Sequence, residues 1–157
     1  MKYPIPTLAS VLALFMAASM SLPAGAHGPV TPQAVDTKGL PALGNKWRDE
    51  NPFRTNPIAL KIGASAYNQN CARCHGLEAV SGGIAPDLRQ LERDCMPMKN
   101  AAKKAACIKE MDAYYLTSVR VGKVRNGAVY MPPFEGVFNQ EAMWAIKTYL
   151  DSRKETN

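Results

Sequence analysis

Apolar residues recur at helical spacing in three parts of the chain, and no run of alternating apolar and polar residues predicts a strand of any length. The first pattern opens with Asn56 as an N-cap and Pro57 at the first helical position, and it continues to Tyr67. The second spans residues 112–121. The third starts after Asn139 and carries Met143, Ile146, Tyr149 and Leu150. These patterns predict an all-α fold.

Between the first two patterns, residues 84–88 predict a loop that leads into a short helix ending near Cys95. Pro97 interrupts that helix, and the basic segment that follows predicts one or two further helical turns through Cys107. Farther on, Asn126 and Gly127 predict a turn before the last helix.

The N-terminus has the pattern of a cleaved signal peptide. Lys2 precedes an apolar stretch over residues 8–20, and Ala24 to Ala26 follow as a small-residue cleavage site. The apolar stretch is shorter than the roughly 20 residues of a membrane span, and no later segment is longer. We therefore expect residues 1–26 to be removed and the chain to be exported to the periplasm without a membrane span.

The remaining chain divides into an arm and one domain. Residues 27–55 are rich in Pro and Gly and predict an irregular arm, in which Trp47 and Phe53 are the large aromatic residues. Residues 56–157 are long enough for one small domain with a modest core. We expect a monomer.

The net charge of +6 carries limited information about partners. Lys2 leaves with the signal peptide, and the other basic residues are interleaved with Ala, Val and Tyr. Such a distribution, in an exported protein, disfavours nucleic acid as a partner. A modest positive bias could instead steer an acidic protein partner.

The run Asn70-Cys71-Ala72-Arg73-Cys74-His75-Gly76 contains the Cys-X-X-Cys-His pattern of covalent c-type haem attachment. Two thiols one turn apart can form thioethers with the two vinyl groups of one haem. The adjacent imidazole can then ligate the iron from the same side. Cys71, Cys74 and His75 therefore predict one covalently bound haem c.

Two other uses of these cysteines remain open at this point. A thioredoxin-like redox pair would follow a strand, whereas the residues before Cys71 predict a helix. A zinc site would have to recruit Cys95 and Cys107, which lack the close spacing of zinc ribbons. In an oxidising compartment these two cysteines instead favour a disulfide, which would stabilise the fold by roughly 3 kcal/mol.

A haem ligated by His75 needs a sixth ligand or has an open site. The candidates are His27 and five methionines: Met96, Met98, Met111, Met131 and Met143. Met131 is favoured because the two prolines after it stiffen an extended loop. Met96 and Met98 flank Pro97 in a loop and are its competitors.

The identity of the sixth ligand separates two functions. A thioether favours ferrous iron, raises the reduction potential and leaves no site for a substrate, which predicts an electron carrier without enzymatic activity of its own. If Met131 is not bound, the alternative is a haem enzyme or gas sensor with an open sixth site. A second alternative is a bound electron-transfer subunit of another dehydrogenase.

From Asn56 to Lys154 the chain resembles the class I cytochrome c family. The resemblance rests on the haem motif, on Gly63 and Tyr67 before it, and on the aromatic and apolar positions of the last helix. It implies helices wrapped around one haem, with the first and last helices crossing at Gly63. It also implies that the Pro86 carbonyl orients His75 and that Met131 is the axial methionine.

A closer resemblance is to periplasmic cytochromes that accept electrons from pyrroloquinoline-quinone-dependent ethanol dehydrogenases in pseudomonads. It rests on residues 51–54, on the Cys95 to Cys107 insertion and on residues 126–134. This resemblance implies a quinoprotein alcohol dehydrogenase as donor. It also implies a terminal oxidase or another cytochrome as acceptor.

Overall fold

Helices dominate the structure, a computed structural model that describes residues 31–154. The expected signal peptide and His27 lie outside the described residues. The described α-helices are α1 (Pro57–Asn70), α2 (Ala72–His75), α3 (Ala101–Val121) and α4 (Gln140–Ser152), with short 3-10 turns at Leu77–Ala79 and Leu88–Gln90. Within this range, no helix combines the length and the apolar character that crossing a membrane requires.

The two helix starts expected from the sequence are confirmed. The Asn56 side chain accepts hydrogen bonds from the backbone N–H groups of Ile58 and Ala59, and Pro57 occupies the first turn of α1. The Asn139 side chain likewise accepts from the Ala142 N–H at the start of α4. Each cap satisfies backbone donors that have no partner within the helix.

Helices α1 and α4 cross at Gly63, as the family resemblance implies. A Cβ atom added there would lie 1.9 Å from the carbonyl oxygen of Ala145, so only glycine permits this approach. The rings of Tyr67 and Tyr149 pack beside the crossing, with centroids 5.1 Å apart. Helix α3 adds Tyr115, Leu116 and Val119 to the same core.

Two predictions of local structure were wrong. Helix α3 is continuous from Ala101 to Val121, whereas we expected separate turns ending near Cys107. Asn100 caps it, and residues 101–121 contain no Gly or Pro that would end it. The segment before Cys95 forms only a 3-10 turn and further turns instead of the expected short helix.

A small β-hairpin was also missed. Strands β1 (Lys123–Arg125) and β2 (Ala128–Met131) pair antiparallel, with Val124 opposite Val129. Asn126 and Gly127 join them with φ values of 51° and 78°, which are typical of a tight hairpin turn. The turn was correctly expected, but the strands are too short to give a readable alternation. The fold remains essentially all-helical.

Residues 31–55 contain no helix or strand and lie against α4 and α3. The Leu43 N–H donates to the Glu141 carboxylate at 2.6 Å, and the Gln140 side chain donates to the Gly44 carbonyl at 2.6 Å. Farther along, the Asn51 side chain donates to the Thr148 hydroxyl at 3.0 Å, and Phe53 is buried. The arm is therefore fixed to the helical core along its described length.

A buried ion cluster lies where the arm, the segment after the haem motif, α3 and α4 meet. Its members are Arg54, Glu92, Asp112, Lys147, Asp151 and Lys154. The Lys147 ammonium is fully buried, lies 2.5 Å from Glu92 and 3.1 Å from Asp112, and also contacts Asp151. Burial alone would lower the pKa of Lys147, but the surrounding carboxylates outweigh it and raise that pKa. Lys147 therefore stays charged in the core.

Candidate haem site

The Cys-X-X-Cys-His motif forms a helical turn directly after α1. The Cys71 N–H continues the α1 hydrogen-bond pattern by donating to the Tyr67 carbonyl at 2.8 Å. The N–H groups of Cys74 and His75 then both donate to the Cys71 carbonyl, at 3.1 and 2.9 Å. This turn brings two free, half-buried thiols and one imidazole together on one short segment.

The environment of Cys71 disfavours a thiol redox centre. Burial, helped by the neighbouring Cys74, raises the pKa of the Cys71 thiol to about 12. Reactive redox and metal-binding cysteines instead have lowered pKa values, because the thiolate is the reactive form. An unmodified Cys71 would therefore stay protonated at neutral pH.

The ring of His75 is oriented by a backbone carbonyl. Its Nδ1 lies 2.9 Å from the Pro86 carbonyl oxygen. Since a carbonyl can only accept, Nδ1 carries a proton, and in the neutral imidazole Nε2 is then the nitrogen with a free lone pair. The loop that supplies Pro86 is itself held, because the Asp87 carboxylate accepts from the backbone and the guanidinium of Arg89. This is the ring state and support that an axial histidine needs.

The end of the motif is tied back to α1. The Tyr67 hydroxyl donates to the Gly76 carbonyl at 2.8 Å, across nine residues of chain. Gly76 has a φ of 81°, and a Cβ there would lie 1.8 Å from the Val80 carbonyl oxygen. Sequence reasoning assigned Tyr67 only a packing role and gave no role to Gly76. The glycine directly after the motif was the available signal.

Met131 is the last residue of β2 and begins the loop Met131-Pro132-Pro133-Phe134. It is half-buried and packs against the hydrophobic core. The end of α3 approaches this loop closely, since a Cβ on Gly122 would lie 2.3 Å from the Met131 carbonyl oxygen. Phe134 is buried and stacks on Phe138, with ring centroids 4.8 Å apart.

The other methionines occupy different settings. Met143 is completely buried in α4, and its carbonyl accepts a hydrogen bond from the Tyr115 hydroxyl. Met111 lies half-buried within α3. Met96 and Met98 are exposed on the turns between the 3-10 segment and α3. Met131 alone among these five methionines lies in the loop between the hairpin and α4.

Several large apolar side chains are exposed in the segment that follows the motif and in the hairpin that precedes Met131. They are Leu77, Val80, Ile84, Val124, Val129 and Tyr130. Exposed apolar residues in these two segments are compatible with the binding of an apolar group. Together with two thiols, an oriented imidazole and a thioether, they fit a covalently held haem.

Cys95 and Cys107 are joined by a disulfide, with their Cα atoms 5.6 Å apart. The bond connects the segment after the 3-10 turns to α3. These sulfurs are consequently not free to join Cys71 and Cys74 around a zinc ion. Among the described residues, no group of three or more His, Cys, Asp or Glu side chains could hold a metal ion.

Comparison with known proteins identifies a matching family and several similar proteins, all of which are named as cytochromes or haem proteins. Residues 59–150 match the family described as cytochrome c oxidase, cbb3-type, subunit III. The chain is 54% identical to cytochrome c550 of Pseudomonas aeruginosa over 138 residues, which cover 85% of this chain and 86% of the relative. No solved structure gives a significant match.

Two longer relatives match over one part of their length. The chain is 31% identical to quinohemoprotein alcohol dehydrogenase ADH-IIG of Pseudomonas putida, over 75% of this chain and 12% of that enzyme. It is 40% identical to quinohemoprotein alcohol dehydrogenase ADH IIB of the same species, over 73% of this chain and 14% of that enzyme. The chain therefore belongs to the cytochrome c family and is an electron-transfer protein, not an enzyme, that carries one covalently bound haem c.

Proposed function

We propose that this cytochrome is a periplasmic shuttle that accepts single electrons from a quinoprotein alcohol dehydrogenase and passes them towards a terminal oxidase. The observation that carries the proposal is the similarity of this chain to a segment of two quinohemoprotein alcohol dehydrogenases. In those enzymes the similar segment is part of the dehydrogenase chain. Here a separate small protein would carry the electrons from one molecule to another.

In this proposal, Cys71 and Cys74 hold the haem, and His75 and Met131 ligate its iron. Bound haem supplies a reversible one-electron couple. The Nδ1–H bond from His75 to the Pro86 carbonyl keeps the imidazole in one orientation and makes Nε2 a better donor. The thioether of Met131 is a weak, soft ligand that favours the ferrous state and raises the reduction potential.

Occupied axial positions would favour electron transfer over catalysis at iron. A substrate or gas would have to displace Met131, which the stiff Met131-Pro132-Pro133 segment opposes. The competing function is a haem enzyme or gas sensor. Fast binding of carbon monoxide to the ferrous protein would support it, and slow or weak binding would support the carrier.

Export and processing belong to the same proposal. Residues 1–26 would direct the chain to the periplasm and be removed there. Residues 27–55 would remain as the arm and residues 56–157 as the haem domain. The disulfide between Cys95 and Cys107 is compatible with that oxidising compartment.

The contact with the donor would be small and short-lived, below about 1,200 Å² in total, because a shuttle has to dissociate quickly. Exposed basic residues on the hairpin, Lys123 and Arg125, lie beside the exposed apolar residues Val124 and Val129. A partner with acidic residues around its own electron-transfer site would associate faster at low salt. The expected signature is a second-order rate constant that falls with ionic strength.

The decisive experiment mixes the ferric cytochrome with a purified, alcohol-reduced quinoprotein dehydrogenase in a stopped-flow instrument. The proposal predicts rapid reduction that slows as salt is added. The partner assignment fails if the cytochrome stays ferric with this donor while another periplasmic donor reduces it rapidly. A small-molecule reductant serves as the control that the haem itself is competent.

A second candidate function is a tightly bound electron-transfer subunit. The matching family is named after one subunit of cytochrome c oxidase, which is a larger assembly. Purification from the native periplasm at high dilution separates the two possibilities. A carrier elutes alone, whereas a bound subunit keeps its partner.

A further inference from the structure

At the C-terminal end of α3, the guanidinium of Arg120 lies between two side chains from distant parts of the sequence. Its central carbon is 4.2 Å from the ring centroid of Trp47, which belongs to the arm. On the loop side, its Nη2 and Nε donate to the two carboxylate oxygens of Glu135 at 2.8 and 3.2 Å. One side chain therefore connects the arm, α3 and the segment that follows Phe134.

The backbone attaches the same segment to the same end of α3. The Phe134 N–H donates to the Val119 carbonyl at 3.0 Å, and the Glu135 N–H donates to the Arg120 carbonyl at 3.2 Å. These loop donors satisfy carbonyl groups that the end of a helix leaves without partners. Arg120 thus contacts Glu135, the residue directly after the Met131 loop, through both its main chain and its side chain.

The surroundings of Arg120 make its contact with Glu135 stronger than a contact made by a fully solvated cation. It is only 30% exposed, and the two-pronged contact with Glu135 matches the planar guanidinium. Trp47 is itself packed against the core, so the ring is a fixed support. Glu135 comes four residues after Met131, with two prolines between them that limit how far the loop can relax.

We propose that Arg120 is a positioning residue that holds the Met131 loop closed, using Trp47 as its support and Glu135 as its attachment. The proposal rests on the proposed function, in which Met131 is an axial ligand. A thioether is a weak ligand, so a modest loss of loop attachment would measurably raise the fraction of molecules in which Met131 is displaced. Trp47 would couple the arm to the Met131 loop through its contact with Arg120.

Charge provides a discriminating test of this role. Arg120→Ala removes a positive charge and Glu135→Gln removes a negative one, so a purely electrostatic influence on the iron would act in opposite directions. Loss of attachment would instead weaken the hold on Met131 in both variants. Arg120→Lys keeps the charge, but an ammonium group does not reproduce the two-pronged contact with Glu135. This variant should therefore hold Met131 less firmly than wild type and more firmly than Arg120→Ala.

The experiment measures imidazole binding to the ferric holoprotein at pH 7 by visible spectroscopy, because imidazole binds only after Met131 leaves. Arg120→Ala and Glu135→Gln are expected to bind imidazole about three- to thirty-fold more tightly than wild type. The matched control is Lys109→Ala. Lys109 pairs with Glu50 of the arm at 3.1 Å and so connects the arm to α3 without the Met131 loop. The imidazole affinity of Lys109→Ala should stay within about two-fold of wild type.

A Met131→Ala variant separates the two levels of the proposal. Much tighter imidazole binding by Met131→Ala than by wild type supports the ligand assignment. With that result, unchanged affinity in Arg120→Ala and Glu135→Gln, or shifts in opposite directions, would overturn the positioning role alone. Equal affinity in wild type and Met131→Ala would overturn the ligand assignment and the positioning role together.

Discussion

The α1–α4 crossing and the Met131 loop are stabilised by different means. The crossing is a close contact between two helices, enclosed on most sides, with Gly63 against Ala145 and Tyr67 against Tyr149. The loop side instead has a short hairpin whose apolar residues Val124 and Val129 are largely exposed. The crossing is therefore complete as a protein core, whereas the hairpin beside the Met131 loop leaves apolar side chains uncovered by the rest of the protein.

The buried ion cluster strengthens the first region. It holds α4 to α3, to the arm and to the segment containing Glu92, which lies three residues before the disulfide at Cys95. In the second region, polar contacts join the loop to the end of α3 and involve half-exposed groups such as Arg120 and Glu135. Substitutions in the first region should change stability through the protein core, and those in the second should act through the haem, by changing its contacts or the access to its iron.

Replacing Lys147 with methionine should have the largest effect on stability. The substitution leaves the buried carboxylates of Glu92 and Asp112 without their central cation. Breaking a buried ion pair in this way costs about 3–5 kcal/mol in the free energy of unfolding. Denaturant unfolding of the holoprotein measures the loss, and a cost below about 1 kcal/mol would contradict the role given to the cluster.

Acid should weaken the same region through Glu92. Burial alone would raise the pKa of this carboxyl, but Lys147 and Lys154 outweigh it and lower the pKa from 4.5 to about 2. A lowered native pKa contributes stability that is present above pH 4.5 and is lost as pH falls towards 2. Unfolding curves of wild type between pH 5 and 2, compared with Glu92→Gln, check this prediction. The variant should show a flatter dependence on pH, and parallel curves would exclude Glu92 as a source of the acid sensitivity.

Gly63→Ala tests the helix crossing directly. The new Cβ would meet the Ala145 backbone, which cannot rotate away, so α1 and α4 would have to separate. Overpacking of this kind costs about 1–3 kcal/mol. Gly82→Ala is a suitable control, because Gly82 has open space where a Cβ would lie. Equal stability of the two variants would show that the crossing tolerates a larger separation.

Val129→Ser tests the loop side. If haem covers this exposed valine, the substitution should destabilise the holoprotein by about 1–2 kcal/mol, a large part of the value of burying a valine. A truly solvated position would change stability by no more than about 0.5 kcal/mol. Thermal unfolding of the holoprotein therefore decides whether the hairpin faces haem or water.

The sequence predicted the crossing better than the loop side. Gly63, Tyr67 and Tyr149 could be assigned from the family resemblance, and the caps at Asn56 and Asn139 follow from local hydrogen bonding. The hairpin was missed because strands of three and four residues give no usable periodicity. The ion cluster and the Trp47–Arg120–Glu135 contact were missed because their members are far apart in sequence and meet only after folding.

We propose that His75 and Met131 ligate the iron of the covalent haem. The most direct measurement records the far-red sulfur-to-iron charge-transfer band of the ferric, periplasmically matured protein, in wild type and in Met131→Ala. Ligation by His75 and Met131 predicts a band in wild type that disappears in the variant. A band that survives would contradict the assignment and point to Met96 or Met98, and its absence from wild type would restore the open-site enzyme or sensor as the better description.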